Sequence, residues 1–211
     1  KTLRHEGVRE VTMIGKVTKE ILFKGLQFPD LRTIKLLAGL HNRKDDTIML
    51  AIVDELAKDG LVVADQTAYL KPLMPPVGIL SKRRPTEAER EDIRFGFATA
   101  KAMGGMDIGQ TVVVKQKAVM AVEAIEGTDA CIRRGGELGQ GNAVVVKVAK
   151  PKQDLRFDVP AVGRQTLQAM LDSGCTLLAM EAERTLFVER EEVLALANEK
   201  NICICSVDES Y

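Results

Sequence analysis

Residues 111–149 read TVVVKQKAVMAVEAIEGTDACIRRGGELGQGNAVVVKVA, and the order of patterns in this stretch decides the fold class. TVVVK and KAVMAVEAI are rich in β-branched and apolar residues, and Gln116-Lys117 between them predicts a β-hairpin, although the favoured hairpin dipeptide is Asn-Gly. AVVVKVA (143–149) is almost wholly apolar, as a strand covered on both faces must be. The intervening EAIEGTDACIRRGGE (123–137) predicts a short helix over 129–134. It leaves the sheet through two glutamates, a Gly-Thr-Asp turn, two arginines and a double glycine, more charge than a plain connection needs. Strand, helix, buried strand is the grammar of an α/β layer.

Downstream the same grammar continues: a helix near 163–173, then strand CTLLAMEA, short strand TLFV, helix REEVLALANEKN and strand ICICSV. Upstream, Thr86 and Glu89 form a Thr-x-x-Glu capping box opening a helix that Gly104-Gly105 stops. Before it, TAYLKPLMPPVGILSKRRP carries four of the seven prolines and reads as a semi-rigid connector. Strand EVTMIG, two helical patterns broken around Asn42 to Asp46, with Asp45 or Asp46 as a cap, and strand LVVADQ precede the connector. The expected organisation is therefore two α/β domains: a parallel-sheet, Rossmann-like one over 1–70, a linker over 71–80, and a mixed-sheet catalytic domain over 81–211. The chain opens KTLRHEGV without a methionine, like the last turn of a helix, so the native protein is expected to begin earlier and the first domain to be incomplete.

Composition bounds the chemistry. Thirty basic and thirty acidic side chains leave no net charge, and 45% of residues are hydrophobic. No global field draws nucleic acid, and any anion site must be local. Four cysteines without a CxxC pair, two of them alternating with Ile202 and Ile204, suit buried thiols in a reducing cytoplasm. No apolar run approaches the roughly 20 residues of a membrane span. With only two histidines, His5 and His41, and none of the Walker A, Gly-x-Ser-x-Gly, Nudix or zinc patterns, hydrolysis would fall to carboxylates, lysines and arginines.

Those groups cluster three times. In the first cluster Thr128 or Asp129 can cap the short helix; alternatively Asp129 and Glu126 hold Mg²⁺ while Arg133 faces a phosphate. The second, KVAKPKQDLRFDVP (147–160), follows the buried strand, where open α/β sheets place ligands. Lys150, Asp154, Arg156 and Asp158 recur at close spacing, and the last three share a face if the segment is extended. Two carboxylates around a cation suit a magnesium–pyrophosphate complex; a solvated loop with weak ion pairs is the plainer alternative. In the third, Lys82, Arg83 and Arg84 precede a helix N-terminus, which favours an anion. Without interleaved aromatics they make a weak nucleic-acid patch.

GILSKRRPTEAEREDIRFGFATAKAMGGMDIGQTVVVK, AVEAIEGTDACIRRGGELG and VVVKVAKPKQDLRFDVPAVG, in that order, resemble the LpxI family of UDP-2,3-diacylglucosamine pyrophosphatases, as KTLRHEGVREVTMIGKV and RKDDTIMLAIVDELAKDG resemble the latter part of its N-terminal domain. The resemblance implies a Mg²⁺-dependent hydrolase that makes UMP and 2,3-diacylglucosamine 1-phosphate for lipid A, with substrate held between two domains. It implies a cytoplasmic protein in peripheral contact with the inner membrane of a Gram-negative bacterium. Asp158, Asp154 and Asp129 are the candidate catalytic residues. Lys150, Arg156, Arg133, Thr128, Lys82 and Arg83 are candidates for substrate, and Asp158, Asp154 and Glu126 for metal. Homodimerisation stays open. The alternative is a non-catalytic nucleotide or nucleotide-sugar binding protein.

Overall fold

The computed structural model describes residues 2–14, 31–40 and 45–211. Two compact units emerge: residues 1–69 with 154–158, and residues 70–153 with 159–211. In the first, α1 (Thr2–His5), β1 (Glu10–Val11), α2 (Leu31–Ala38), α3 (Asp45–Lys58) and β2 (Val62–Val63) follow one another. β1 and β2 pair in parallel, Glu10 beside Val62, which a crossover connection requires. Arg32 on α2 reaches Glu55 on α3 and Asp59 just beyond its end, tying the two helices together. Gly60, at φ +76, ends α3 in the left-handed conformation that a glycine adopts without strain. Strand-like residues beyond Ile14 and the side chains of Asp45 and Asp46 lie outside the described residues.

The second unit carries α4 (Thr67–Leu70, at the boundary), a 3₁₀ turn (Lys71–Leu73), β3 (Gly78–Ile79), α5 (Glu87–Gly105), β4 (Thr111–Lys115), β5 (Ala118–Val122), α6 (Thr128–Leu138), β6 (Val144–Lys147), β7 (Ala161–Val162), α7 (Arg164–Ser173), β8 (Leu177–Glu181), β9 (Leu186–Phe187), α8 (Arg190–Glu199) and β10 (Cys203–Val207). Six strands form one mixed sheet in the order β3-β10-β8-β6-β4-β5. β6, β8 and β10 are parallel; β4, β5 and β3 run antiparallel to their neighbours. α5 covers one face with Ile93, Phe97, Ala100 and Met103. α6, α7 and α8 cover the other with Ile132, Leu167, Met170 and Val193. The all-apolar reading of β6 follows from this, since every residue of the strand is buried between the two layers.

The capping box opens α5 as expected: Thr86 Oγ1 accepts from Glu89 N, and Glu89 Oε2 accepts in turn from Thr86 N. The β4–β5 hairpin turns at Gln116-Lys117, both at positive φ, the conformation for which Asn-Gly is usually selected. Buried Asp92 on α5 supplies the missing preference, accepting from Gln116 N at 2.9 Å and Lys117 N at 2.6 Å. The double glycine of α6 is steric. A Cβ on Gly135 would stand 2.4 Å from Val113 Cβ, and one on Gly136 2.5 Å from Ser173, so these glycines let α6 touch both the sheet and α7.

Two expectations change. Residues 71–80 are more than a linker: Met74 and Pro75 are buried, Pro75 O accepts from Glu183 N at 2.9 Å, and Gly78–Ile79 form the edge strand beside β10. A strand with a free neighbour edge pairs whatever its proline content upstream, because its own N–H groups are intact. The helix after Gly127 also runs to Leu138 rather than stopping at Arg134, since glycine lowers helix propensity by only about 1 kcal/mol and packing offsets that. All four cysteines are free and buried.

Candidate functional site at the carboxyl edge of the sheet

β6, β8 and β10 all end at the same edge of the second unit's sheet, and there the apolar pattern breaks. Lys147 closes β6 and Glu181 closes β8, each only 5% exposed. On the α5 side, Glu181 accepts from Lys101 Nζ at 2.8 Å and from Ala149 N at 2.7 Å, while Lys101 also donates to Ala149 O at 3.1 Å. This bracket pins the chain as it leaves β6. The next residue, Lys150, bonds Asp107 at 2.7 Å through its ammonium, and its N–H donates to Gln153 Oε1 at 2.6 Å. On the α6 side, Lys147 Nζ donates to Thr128 Oγ1 at 3.0 Å, and Thr128 Oγ1 donates to Glu123 Oε1 at 2.9 Å.

Among the described residues, four buried polar atoms have no hydrogen-bond partner: Gln110 Oε1, Thr111 Oγ1, Arg184 Nε and Thr185 Oγ1. Residues 110 and 111 open β4 at this edge, and 184 and 185 follow β8 from it. Buried polar groups are nearly always satisfied in folded proteins, so these atoms single out the sheet edge as the candidate site, although Arg184 Nε does stand 3.8 Å from Glu181.

Within the first unit, the segment Asp154–Asp158 is a turn rather than the extended run that the alternating spacing suggested: Asp158 N donates to Asp154 O at 3.0 Å. Arg156 clasps Asp154 through Nε at 2.9 Å and Nη2 at 2.6 Å. These hydrogen bonds hold the Asp154 carboxyl below the usual carboxylate range and raise Arg156.

The other sequence candidates separate. Arg83 bonds Glu89 at 2.6 Å and reaches Thr176 O, just before β8, so it sits at the amino-terminal edge, opposite Lys147 and Glu181. Lys82 is exposed beside it, its N–H bonded to Asn198. Arg133 faces Asp172 of α7 at 3.6 Å on the surface. It is Arg134 that binds Glu126, and Glu126 titrates low because its own backbone N–H and then Arg134 stabilise the carboxylate. Neither Thr128 nor Asp129 caps α6; Gly127 occupies the cap position and no side-chain bond is made there. Thr128 and Asp129 nonetheless stand in the first turn of α6, beside the Lys147–Glu123 chain.

Among the described residues, no three of His, Cys, Asp and Glu gather where they could hold a metal ion. No described helix is long and apolar enough to cross a membrane.

Lys101, Glu123, Lys147 and Glu181 escaped sequence reasoning. For two of them a signal existed: VVVK and LLAME each end an otherwise apolar strand on a charge, which a strand covered on both faces tolerates only where that charge is paired or used.

A two-unit α/β chain, with paired charges and orphaned polar atoms at the carboxyl ends of its parallel strands, belongs to the class that binds polar ligands outside those ends. The comparisons give the family. Residues 1–73 match the LpxI N-terminal domain and residues 76–205 the LpxI C-terminal domain. The UDP-2,3-diacylglucosamine pyrophosphatase LpxI of Caulobacter vibrioides is 34% identical over 219 residues, covering 99% of this chain and 78% of that protein. The chain belongs to the LpxI family.

Proposed function

We propose that the protein hydrolyses the pyrophosphate of UDP-2,3-diacylglucosamine, giving UMP and 2,3-diacylglucosamine 1-phosphate. The observation that carries this is kinship, over 99% of this chain and 78% of the relative, with a pyrophosphatase of that name. Support comes from the charges Lys147, Lys150 and Glu181 at or just after the ends of parallel strands, the edge that open α/β sheets commonly use for ligands.

Water attacking a phosphoanhydride meets oxygens that already repel it, so catalysis needs cations on those oxygens and a carboxylate to orient or deprotonate the water. Lys150, fixed through Asp107 and the Lys101–Glu181 bracket, supplies a cation at the sheet edge. In the first unit, the grip of Arg156 on Asp154 keeps that carboxylate ionised. Asp158 is assigned to the attacking water. Magnesium belongs to the proposal as an ion on the pyrophosphate, and Asp154 and Asp158 would be its protein donors. Such an ion neutralises phosphate charge and acidifies bound water.

In this proposal the enzyme works in the cytoplasm in peripheral contact with the inner membrane, where a diacylated substrate would reside. Incubation of purified protein with UDP-2,3-diacylglucosamine tests the proposal: UMP should appear, and EDTA should stop it. Intact substrate after hours with enzyme and Mg²⁺ would leave a nucleotide-sugar binding protein instead.

A further inference from the structure

α5 ends on a residue that its own local rules disfavour. Ile108 N donates to Met103 O at 3.3 Å and Asp107 N to Gly104 O at 3.1 Å, the crossed pair of bonds that closes a Schellman motif. The residue after the cap of such a motif takes the left-handed conformation, and here that residue is Asp107, at φ +58. Glycine adopts it without strain; an L-residue does so at a cost that aspartate only partly avoids. Charge adds a second penalty, since the last carbonyls of a helix repel a carboxylate. Within α5, both effects favour glycine over aspartate at this position.

The gain lies across the fold. The Asp107 carboxylate is 2.7 Å from the ammonium of Lys150, 43 residues on and just past the end of β6. A Cβ on Gly104 would stand 3.3 Å from Lys150 Cα and 3.5 Å from Pro151 Cδ, so that glycine lets the end of α5 press against the backbone carrying the lysine. This backbone is itself pinned, Lys150 N by Gln153 Oε1 at 2.6 Å and Ala149 by Glu181 and Lys101. Those contacts locate the Lys150 backbone and leave its four-carbon stem free to turn. The carboxylate of Asp107 fixes the charged end.

An ion pair with side chains 27% and 19% exposed contributes little to stability, and this one is made at a helix end where aspartate is disfavoured twice. Sites where a local rule is broken are where function is expected. An ammonium already held in place stabilises growing charge without reorganising during the reaction, whereas a free lysine must first lose its rotamer freedom. We propose that Asp107 is a positioning residue of the hydrolase, giving up stability at the end of α5 to hold the Lys150 ammonium ready for the pyrophosphate oxygens. The role rests on the hydrolase function above. It is exerted through Lys150 and not on the substrate.

Asp107→Gly and Asp107→Asn provide the test, each alone and in a Lys150→Met background, read by UMP release from UDP-2,3-diacylglucosamine and by thermal melts. Glycine removes the strain, the misplaced charge and the grip together; asparagine tolerates the left-handed conformation and keeps an acceptor without the charge. In Asp107→Gly kcat should fall by about fivefold or more, within the range that misplacing a group beside the reacting atoms costs, and in Asp107→Asn by less, with KM within about threefold of wild type in both. Stability should not follow activity: Asp107→Gly should melt within about 2 °C of wild type or above it. With Lys150→Met, assayed with enzyme in excess so that slow turnover is read, the glycine should cost less than about twofold further, as no ammonium remains to be placed. A smaller loss of kcat in Asp107→Gly, a lower melting temperature, or an equal loss with and without Lys150 overturns the role. Wild-type protein that releases no UMP refutes the hydrolase function and the role resting on it, whereas wild-type turnover with any of those three results refutes the role alone.

Discussion

Replacing Lys101 by methionine should destabilise the second unit and loosen the site segment together. The ammonium lies 2.8 Å from Glu181, with side chains 17% and 7% exposed, so the pair is largely withdrawn from water. Methionine fills much of the lysine stem's volume but leaves the Glu181 carboxylate with the Ala149 N–H as its close donor, Arg184 Nε standing off at 3.8 Å. Removing one partner of a buried pair costs about 3–5 kcal/mol, and the partial exposure of Lys101 puts the expectation near about 3 kcal/mol. For a body of this size that lowers the melting temperature by about 6–12 °C. Thermal melts of the wild type, Lys101→Met, Glu181→Gln and the double variant form a cycle whose coupling should exceed about 1.5 kcal/mol. Because the pair is poorly accessible, 0.5 M salt should leave most of the coupling in place. Losses that add to within about 0.5 kcal/mol, or a melt unchanged within about 2 °C, would refute the reasoning. Activity should fall as well, as the same ammonium holds Ala149 O where the segment bearing Lys150 begins.

Asp158→Ala should stay folded and lose about 10² or more in kcat, and Asp154→Ala should be strongly impaired; turnover within a few-fold of wild type in both would move the chemistry elsewhere, Asp129 next. Gly135→Ala should cost about 2–3 kcal/mol in urea unfolding, since its Cβ would fall 2.4 Å from Val113 Cβ, and a neutral outcome would mean that α6 can retreat from the sheet. Arg156→Ala should let the Asp154 carboxyl rise toward its ordinary value, as followed by NMR titration. The sign matters for stability: a carboxyl held low by folding stabilises the protein above its unfolded pKa of about 3.9, and that contribution disappears as pH falls through the folded value. The wild type should therefore lose more stability than Arg156→Ala between pH 5 and the acid limit, and parallel acid titrations of the two would contradict this.

The sequence by itself determined the elements whose causes are local. The Thr86–Glu89 box opens α5 because cap and partner are three residues apart, and VVVK reads as a strand covered on both faces because its pattern admits no wet face. The hairpin position was legible too, while its conformation was not: the left-handed Gln116 and Lys117 depend on Asp92, 24 and 25 residues upstream. The strand-end location of Lys147 to Lys150 was also in the sequence, because a buried strand must end where its apolar run does. Which charges meet was decided by tertiary structure. Lys101 and Glu181 are 80 residues apart, Arg83 lands at the far edge of the sheet from Lys150, and residues 78 and 79 become a strand only because β10 offers them an edge. Spacing along a chain fixes what a residue can do with its next few neighbours; which side chains face each other across a sheet is set by strand order and register, and those are settled only when the two hydrophobic layers close on the sheet.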